Sequence, residues 1–205
     1  MQTIEPAHAL VLVSLSLGLI GAYSYIRDTL AGKTTPNRVS WGMWALAPLI
    51  GTAAAFDSGA DMWASARVFL AGFVPLLIFI ASFANRSGYW RLTAFDLICG
   101  LFSIVALGVW TLVESPRAAI LLAAFGDGIA ALPTIIKAWR FPETETGITY
   151  VLSFLGVLII LPSIPVWNIE NCAFQLYLLI ANALLCIAAN RRRIAACFNP
   201  SVPQA

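Results

Sequence analysis

Asp127 has the chemistry hardest to reconcile with its neighbours. It stands in Phe125-Gly126-Asp127-Gly128, about ten residues into a long apolar stretch, which is near mid-membrane at 1.5 Å of rise per helical residue. A carboxylate at the centre of a bilayer costs several kcal/mol, so it must face protein or water, or be protonated. The flanking glycines let another helix or a ligand come close. Two readings follow. Asp127 is a proton-coupling carboxylate or the partner of a substrate's polar or cationic group; otherwise it is a buried hydrogen bond or ion pair that holds helices together. Asn182, in Ile180-Ala181-Asn182-Ala183, offers an amide at similar depth that either recognises a substrate or bonds across helices. Arg67 lies about six residues into its own apolar stretch. It either snorkels outward toward Asp57 or Asp61, or faces inward to pair with Asp127 or an anionic substrate. Trp44, one turn inside Trp41, is the best candidate for a cavity wall, while Trp41, Trp63 and Tyr150 read as interface anchors. Asp96 suits the first turn of a helix, where a carboxylate complements the dipole.

No constellation of these residues makes an enzyme. His8 is the single histidine, and the four cysteines (Cys99, Cys172, Cys186, Cys197) are scattered, so no metal site or cofactor is expected and the thiols read as free. There is no phosphate loop, nucleophile elbow or triad. The only lysines, Lys33 and Lys137, lie at loops or span ends, which removes a retinal Schiff base.

The elements that must position these residues follow from composition. The 205-residue chain is 60% hydrophobic and 11% charged, with formal net charge +2. Soluble domains carry roughly 45–50% apolar and about 25% charged residues. This composition excludes disorder, a disulfide scaffold and a nucleic-acid binder, and makes the bilayer the solvent. Seven stretches are apolar enough to cross: His8–Ile26, Val39–Phe56, Asp61–Phe83, Thr93–Leu112, Ala118–Ala138, Gly147–Ile164 and Asn171–Asn190. The second and sixth are short and hold Pro48 and Pro162, which predicts kinks. Connections are short and carry turn residues, so the chain reads as one all-α membrane domain over 1–205, and the first stretch as a retained span.

Ten of the twelve basic residues fall on one side: Arg27, Lys33, Arg38, Arg86, Arg91, Lys137, Arg140, Arg191, Arg192 and Arg193. The other side holds Arg117 and five acids, Glu5, Asp57, Asp61, Glu114 and Glu170. The positive-inside rule then places the N-terminus outside and the C-terminus in the cytoplasm of a multi-pass protein. Compact size and short loops lean toward a bacterial inner membrane.

At an offset of 109, Thr35-Pro36-Asn37-Arg38-Val39-Ser40-Trp41 lies over Thr144-Glu145-Thr146-Gly147-Ile148-Thr149-Tyr150. Spans one to three thus repeat as spans five to seven, and span four, as an insertion, makes the halves parallel. The expected arrangement is a first three-helix bundle (1–83), a linker helix (84–116) and a second bundle with a basic tail (117–205). The segment Ala131-Leu132-Pro133-Thr134-Ile135-Ile136-Lys137-Ala138-Trp139, together with Thr35-Pro36-Asn37-Arg38-Val39-Ser40-Trp41-Gly42-Met43-Trp44, resembles the PQ-loop/SWEET superfamily of membrane transporters. The resemblance implies two three-helix bundles around a substrate cavity, alternating access, and hinge prolines whose counterparts are Pro48, Pro133 and Pro162. The family's Pro-Gln dipeptide stands here as Pro133-Thr134 and Tyr23-Ser24. Sugar-transporting members carry an asparagine in the third and seventh spans; Asn182 fits the seventh, while the third reads Leu70-Ala71-Gly72-Phe73.

The function expected is therefore a small-molecule transporter or facilitator, with proton linkage through Asp127 as an option. The rival expectations are a ligand-sensing receptor and a structural or assembly subunit of a membrane complex. The expected partners are the lipid bilayer and a small polar solute, with self-association left open.

Overall fold

The computed structural model describes residues 6–57, 62–84, 90–164 and 166–198. Within them the chain forms seven α-helices and no strand: α1 (Pro6–Leu30), α2 (Arg38–Asp57), α3 (Met62–Ala84), α4 (Ala94–Trp110), α5 (Pro116–Arg140), α6 (Gly147–Ile160) and α7 (Ile169–Phe198). Each apolar stretch of the sequence coincides with one helix. Three helices are long and apolar enough to cross a membrane, over Ala9–Leu30, Arg117–Arg140 and Asn171–Cys197. α4, with 17 residues, is roughly 26 Å long, and α6 has only 14.

Local chemistry sets the ends. Gly32 adopts φ 73°, a left-handed conformation that glycine takes without penalty, and Lys33 N–H folds back to the Asp28 carbonyl (2.9 Å) to close α1. Asn37 Oδ1 accepts the N–H groups of Val39 (3.0 Å) and Ser40 (3.3 Å) and so starts α2. Thr93 and Asp96 form a capping box at α4. Asp96 is held further by Asn37 Nδ2 at 3.1 Å, which ties the starts of α2 and α4 together.

Two expected features differ. Pro162 does not kink α6; that helix stops at Ile160, and Pro162 lies in a following 3-10 turn, Leu161–Ser163. Proline lacks the N–H needed to continue an α-helix, so the turn tightens instead of bending. Arg191, Arg192 and Arg193 are not in a tail, because α7 runs through them to Phe198.

The most extensively packed helix pairs are α2 with α3, α1 with α6, α5 with α7, α4 with α5, and α6 with α7. α3 packs on both α1 and α2, α7 packs on both α5 and α6, and α2 also packs on α5. Small residues permit the approach. Gly21 of α1 lies against the Thr149 backbone of α6, and the Thr149 hydroxyl donates to the Gly21 carbonyl at 2.8 Å. On the α2–α5 seam the Ser40 hydroxyl donates to the Ala130 carbonyl at 2.5 Å.

Polarity is arranged inside out. Large apolar side chains face outward (Leu101 and Ile180 are each 61% exposed), while Thr29, Asn37, Ser40, Thr134, Lys137 and Glu145 are buried. Water would penalise that arrangement and hydrocarbon favours it.

Candidate functional site

A cavity of about 310 Å³ lies among α1, α2, α3, α5, α6 and α7. A second of about 690 Å³ lies toward α4, and the two share Ser14, Leu15, Pro48, Ala71, Asp127, Phe174 and Leu178 in their walls. Asp127 is the one charged residue among those that line both voids. Its Oδ2 accepts the Tyr177 hydroxyl at 2.6 Å, a contact from α5 to α7. The flanking glycines have separate uses. A Cβ at Gly128 would meet the Tyr177 ring at 3.3 Å, and a Cβ at Gly126 would meet Ala106 Cβ of α4 at 3.0 Å. One glycine admits the hydroxyl partner of Asp127 and the other admits the neighbouring helix.

Asn182 and Trp44 both line the smaller cavity. Asn182 Nδ2 donates to the Leu178 carbonyl of its own helix (2.8 Å), which directs none of its amide hydrogens across helices in that bond. Trp44 Nε1 is buried without a hydrogen-bond partner among the described residues. Trp41 and Tyr150, expected at the membrane interface, are instead 5% and 2% exposed and form part of the core beside the cavity. Their polar atoms find protein partners, so they have no need of headgroup water. Pro48 lies inside α2 and Pro133 inside α5; Pro48 lines both voids. Pro75, inside α3 and in the wall of the smaller cavity, was not singled out by the sequence although it is the same kind of residue. Arg67 lies in α3, but its side chain and that of Asp57 are outside the described residues, as is Asp61.

The most fully bonded polar cluster among the described residues was not legible in the sequence. Lys137 stands in the last turn of α5, as expected, but it is buried rather than solvated. Its Nζ contacts Glu145 Oε1 at 2.5 Å, with side-chain exposures of 1% and 0%, and donates to the carbonyls of Thr35 (2.5 Å) and Thr144 (3.3 Å). Glu145 Oε2 accepts the hydroxyls of Tyr25 (2.8 Å) and Tyr150 (2.7 Å), and Trp41 Nε1 donates to the Tyr25 oxygen at 3.2 Å. All three ammonium hydrogens and both carboxylate oxygens are thereby occupied, the condition under which a buried ion pair survives desolvation. The cluster joins α1, α2, α5, α6 and both connections. Trp41 and Tyr150 belong both to it and to the wall of the smaller cavity, so the cluster adjoins the cavity through these two rings. The signal was the charge pair Lys137 and Glu145 flanking the Phe141-Pro142 turn; counting Lys137 only as a topology charge concealed it.

The two connections aligned by the 109-residue offset lie against each other. Thr35 N–H donates to the Thr144 carbonyl (3.1 Å), and the Thr34 and Thr146 hydroxyls are 2.6 Å apart. Among the described residues no three His, Cys, Asp or Glu side chains are grouped to hold a metal. Comparison with family models, curated proteins and solved structures finds no match in any of the three.

Proposed function

We propose that the chain is a seven-span integral membrane protein, N-terminus outside and C-terminus cytoplasmic, that moves a small polar solute by alternating access between the α1–α3 and α5–α7 halves. The observation that carries this reading is a cavity between the halves, with a partly buried carboxylate in its wall and a satisfied ion-pair cluster adjoining it. Such a cavity is what a transporter needs at mid-membrane, and irregular or polar groups are tolerated there only where they line it.

In this reading the Lys137–Glu145 cluster seals the cytoplasmic end. Opening that end parts the connection 31–37 from 141–146 and slides the α1–α6 and α2–α5 seams, both built from small residues and hydroxyl-to-carbonyl bonds. Pro48, Pro75 and Pro133 remove the N–H groups that would bond the carbonyls of Trp44, Ala71 and Ile129, so α2, α3 and α5 bend at low cost there. Pro133 stands between Asp127 and Lys137 on α5, so bending at Pro133 moves the seal relative to the cavity. α4 and α6 are short for a 30 Å hydrocarbon layer, a mismatch that local bilayer thinning accommodates at modest cost.

The test is uptake into proteoliposomes holding the full chain, with labelled sugars, amino acids, nucleosides, organic anions and small amines. Saturable uptake of at least one class, absent from empty liposomes, is expected. Purely linear uptake for every class, from protein that melts cooperatively, removes the transport reading.

A further inference from the structure

Resting on the transport reading, the next inference concerns what the cavity takes. Among the described residues lining either void, Asp127 is the one charged side chain. It has no cationic partner among the described residues; its hydrogen bond comes from the neutral Tyr177 hydroxyl. The remaining walls are mainly apolar and aromatic. Phe174 and Tyr177 of α7 stand with ring centroids 5.7 Å apart, and Trp41 and Trp44 of α2 with centroids 5.0 Å apart. Trp44 Nε1 adds a buried donor lacking an acceptor.

Each feature selects. A carboxylate in an apolar cavity repels anions and attracts cations, and electron-rich ring faces add to that attraction. A polyhydroxylated solute needs many donors and acceptors; Trp41, Thr149, Tyr150 and Tyr177 already donate to protein acceptors, which leaves Ser14, Trp44, Ser153 and Asn182 beside Asp127 in the smaller void. The smaller void, at about 310 Å³, is at the low end of the size of small-molecule sites. We infer that the cavity binds a small organic monocation, an amine or quaternary ammonium compound, with its charge at Asp127.

The experiment compares choline and ethanolamine with 3,3-dimethylbutan-1-ol, a neutral isostere of choline, and with glucose, using the purified full chain in detergent. Melting shifts and equilibrium binding are read for each. At least one cation is expected to stabilise the protein and to bind at least tenfold more tightly than the neutral alcohol and glucose. Asp127→Asn raises that cation's Kd at least tenfold, while Tyr177→Phe, which keeps the carboxylate, changes it only a few-fold. The wild-type comparison of cation with isostere needs no variant, so a misfolded Asp127→Asn protein leaves the test standing. Equal binding of choline and its isostere, or no response to either cation at 20 mM, overturns the inference. Proteoliposome uptake separates the two levels of failure. Saturable glucose uptake without cation binding sinks the substrate class and leaves transport; cation binding without uptake of any solute keeps the class and sinks transport.

Discussion

Lys137 and Glu145 show how much a single buried charge depends on its surroundings. Neither is exposed, and every polar atom of the pair is bonded. Replacing Lys137 by Met leaves the Glu145 carboxylate buried and uncompensated, which costs about 3–5 kcal/mol. Removing both charges, as Lys137→Met with Glu145→Leu, is expected to recover part of that loss. Recovery is incomplete because the Tyr25 and Tyr150 hydroxyls then lose their acceptor, at about 1–3 kcal/mol for each buried unsatisfied group. Melting of the two single variants and the double variant in detergent gives the coupling directly; additive losses would mean that the two charges do not act as a pair. These residues were named in the sequence, but their role was not legible. Charge type and spacing mark a span end, whereas burial of both side chains depends on where α1 and α6 lie.

Helix contacts decide what a position tolerates. A Cβ at Gly72 would lie 2.9 Å from the Ala45 carbonyl oxygen and 3.0 Å from Leu49 N, both backbone atoms of α2 that cannot step aside. This explains why the third helix carries no side chain at that point in Leu70-Ala71-Gly72-Phe73. Gly108 of α4 has nothing within 4 Å of the same added atom. Gly72→Ala is therefore expected to destabilise by about 1–3 kcal/mol through overpacking. Gly108→Ala should be neutral or stabilising, by up to about 1 kcal/mol, because alanine is the better helix former. Thermal melts of the two variants check the contrast; equal behaviour would mean that α2 and α3 are not in such close contact. The apolar stretches located every helix because length and hydrophobicity suffice for that. They missed the early end of α6 and the continuation of α7 through its arginines, since ends are set by individual N–H groups and charge-tolerant turns.

For the molecule as a whole, the transport reading requires the basic end to open. Thr34 and Thr146, whose hydroxyls are 2.6 Å apart, sit on the two connections that would separate. Cysteines at both positions, in a background without Cys99, Cys172, Cys186 and Cys197, are close enough to form a disulfide. Oxidation is expected to cut uptake in proteoliposomes at least tenfold, and reduction to restore it. Full uptake by the cross-linked protein would place the moving seam elsewhere. What the sequence by itself determined is the apolar, helical character, the position of each helix and the presence of an isolated carboxylate deep in α5. These are properties of composition and of short windows, where hydrophobicity and backbone sterics act locally. Only the tertiary structure decided that Tyr177 reaches Asp127, that Trp41 and Tyr150 are interior, and that Lys137 and Glu145 form a buried pair beside the cavity wall. Those outcomes join residues from 5 to 120 positions apart, such as Tyr150 and Tyr25 on Glu145. Their strength comes from excluding water around polar groups, which no single segment can do alone.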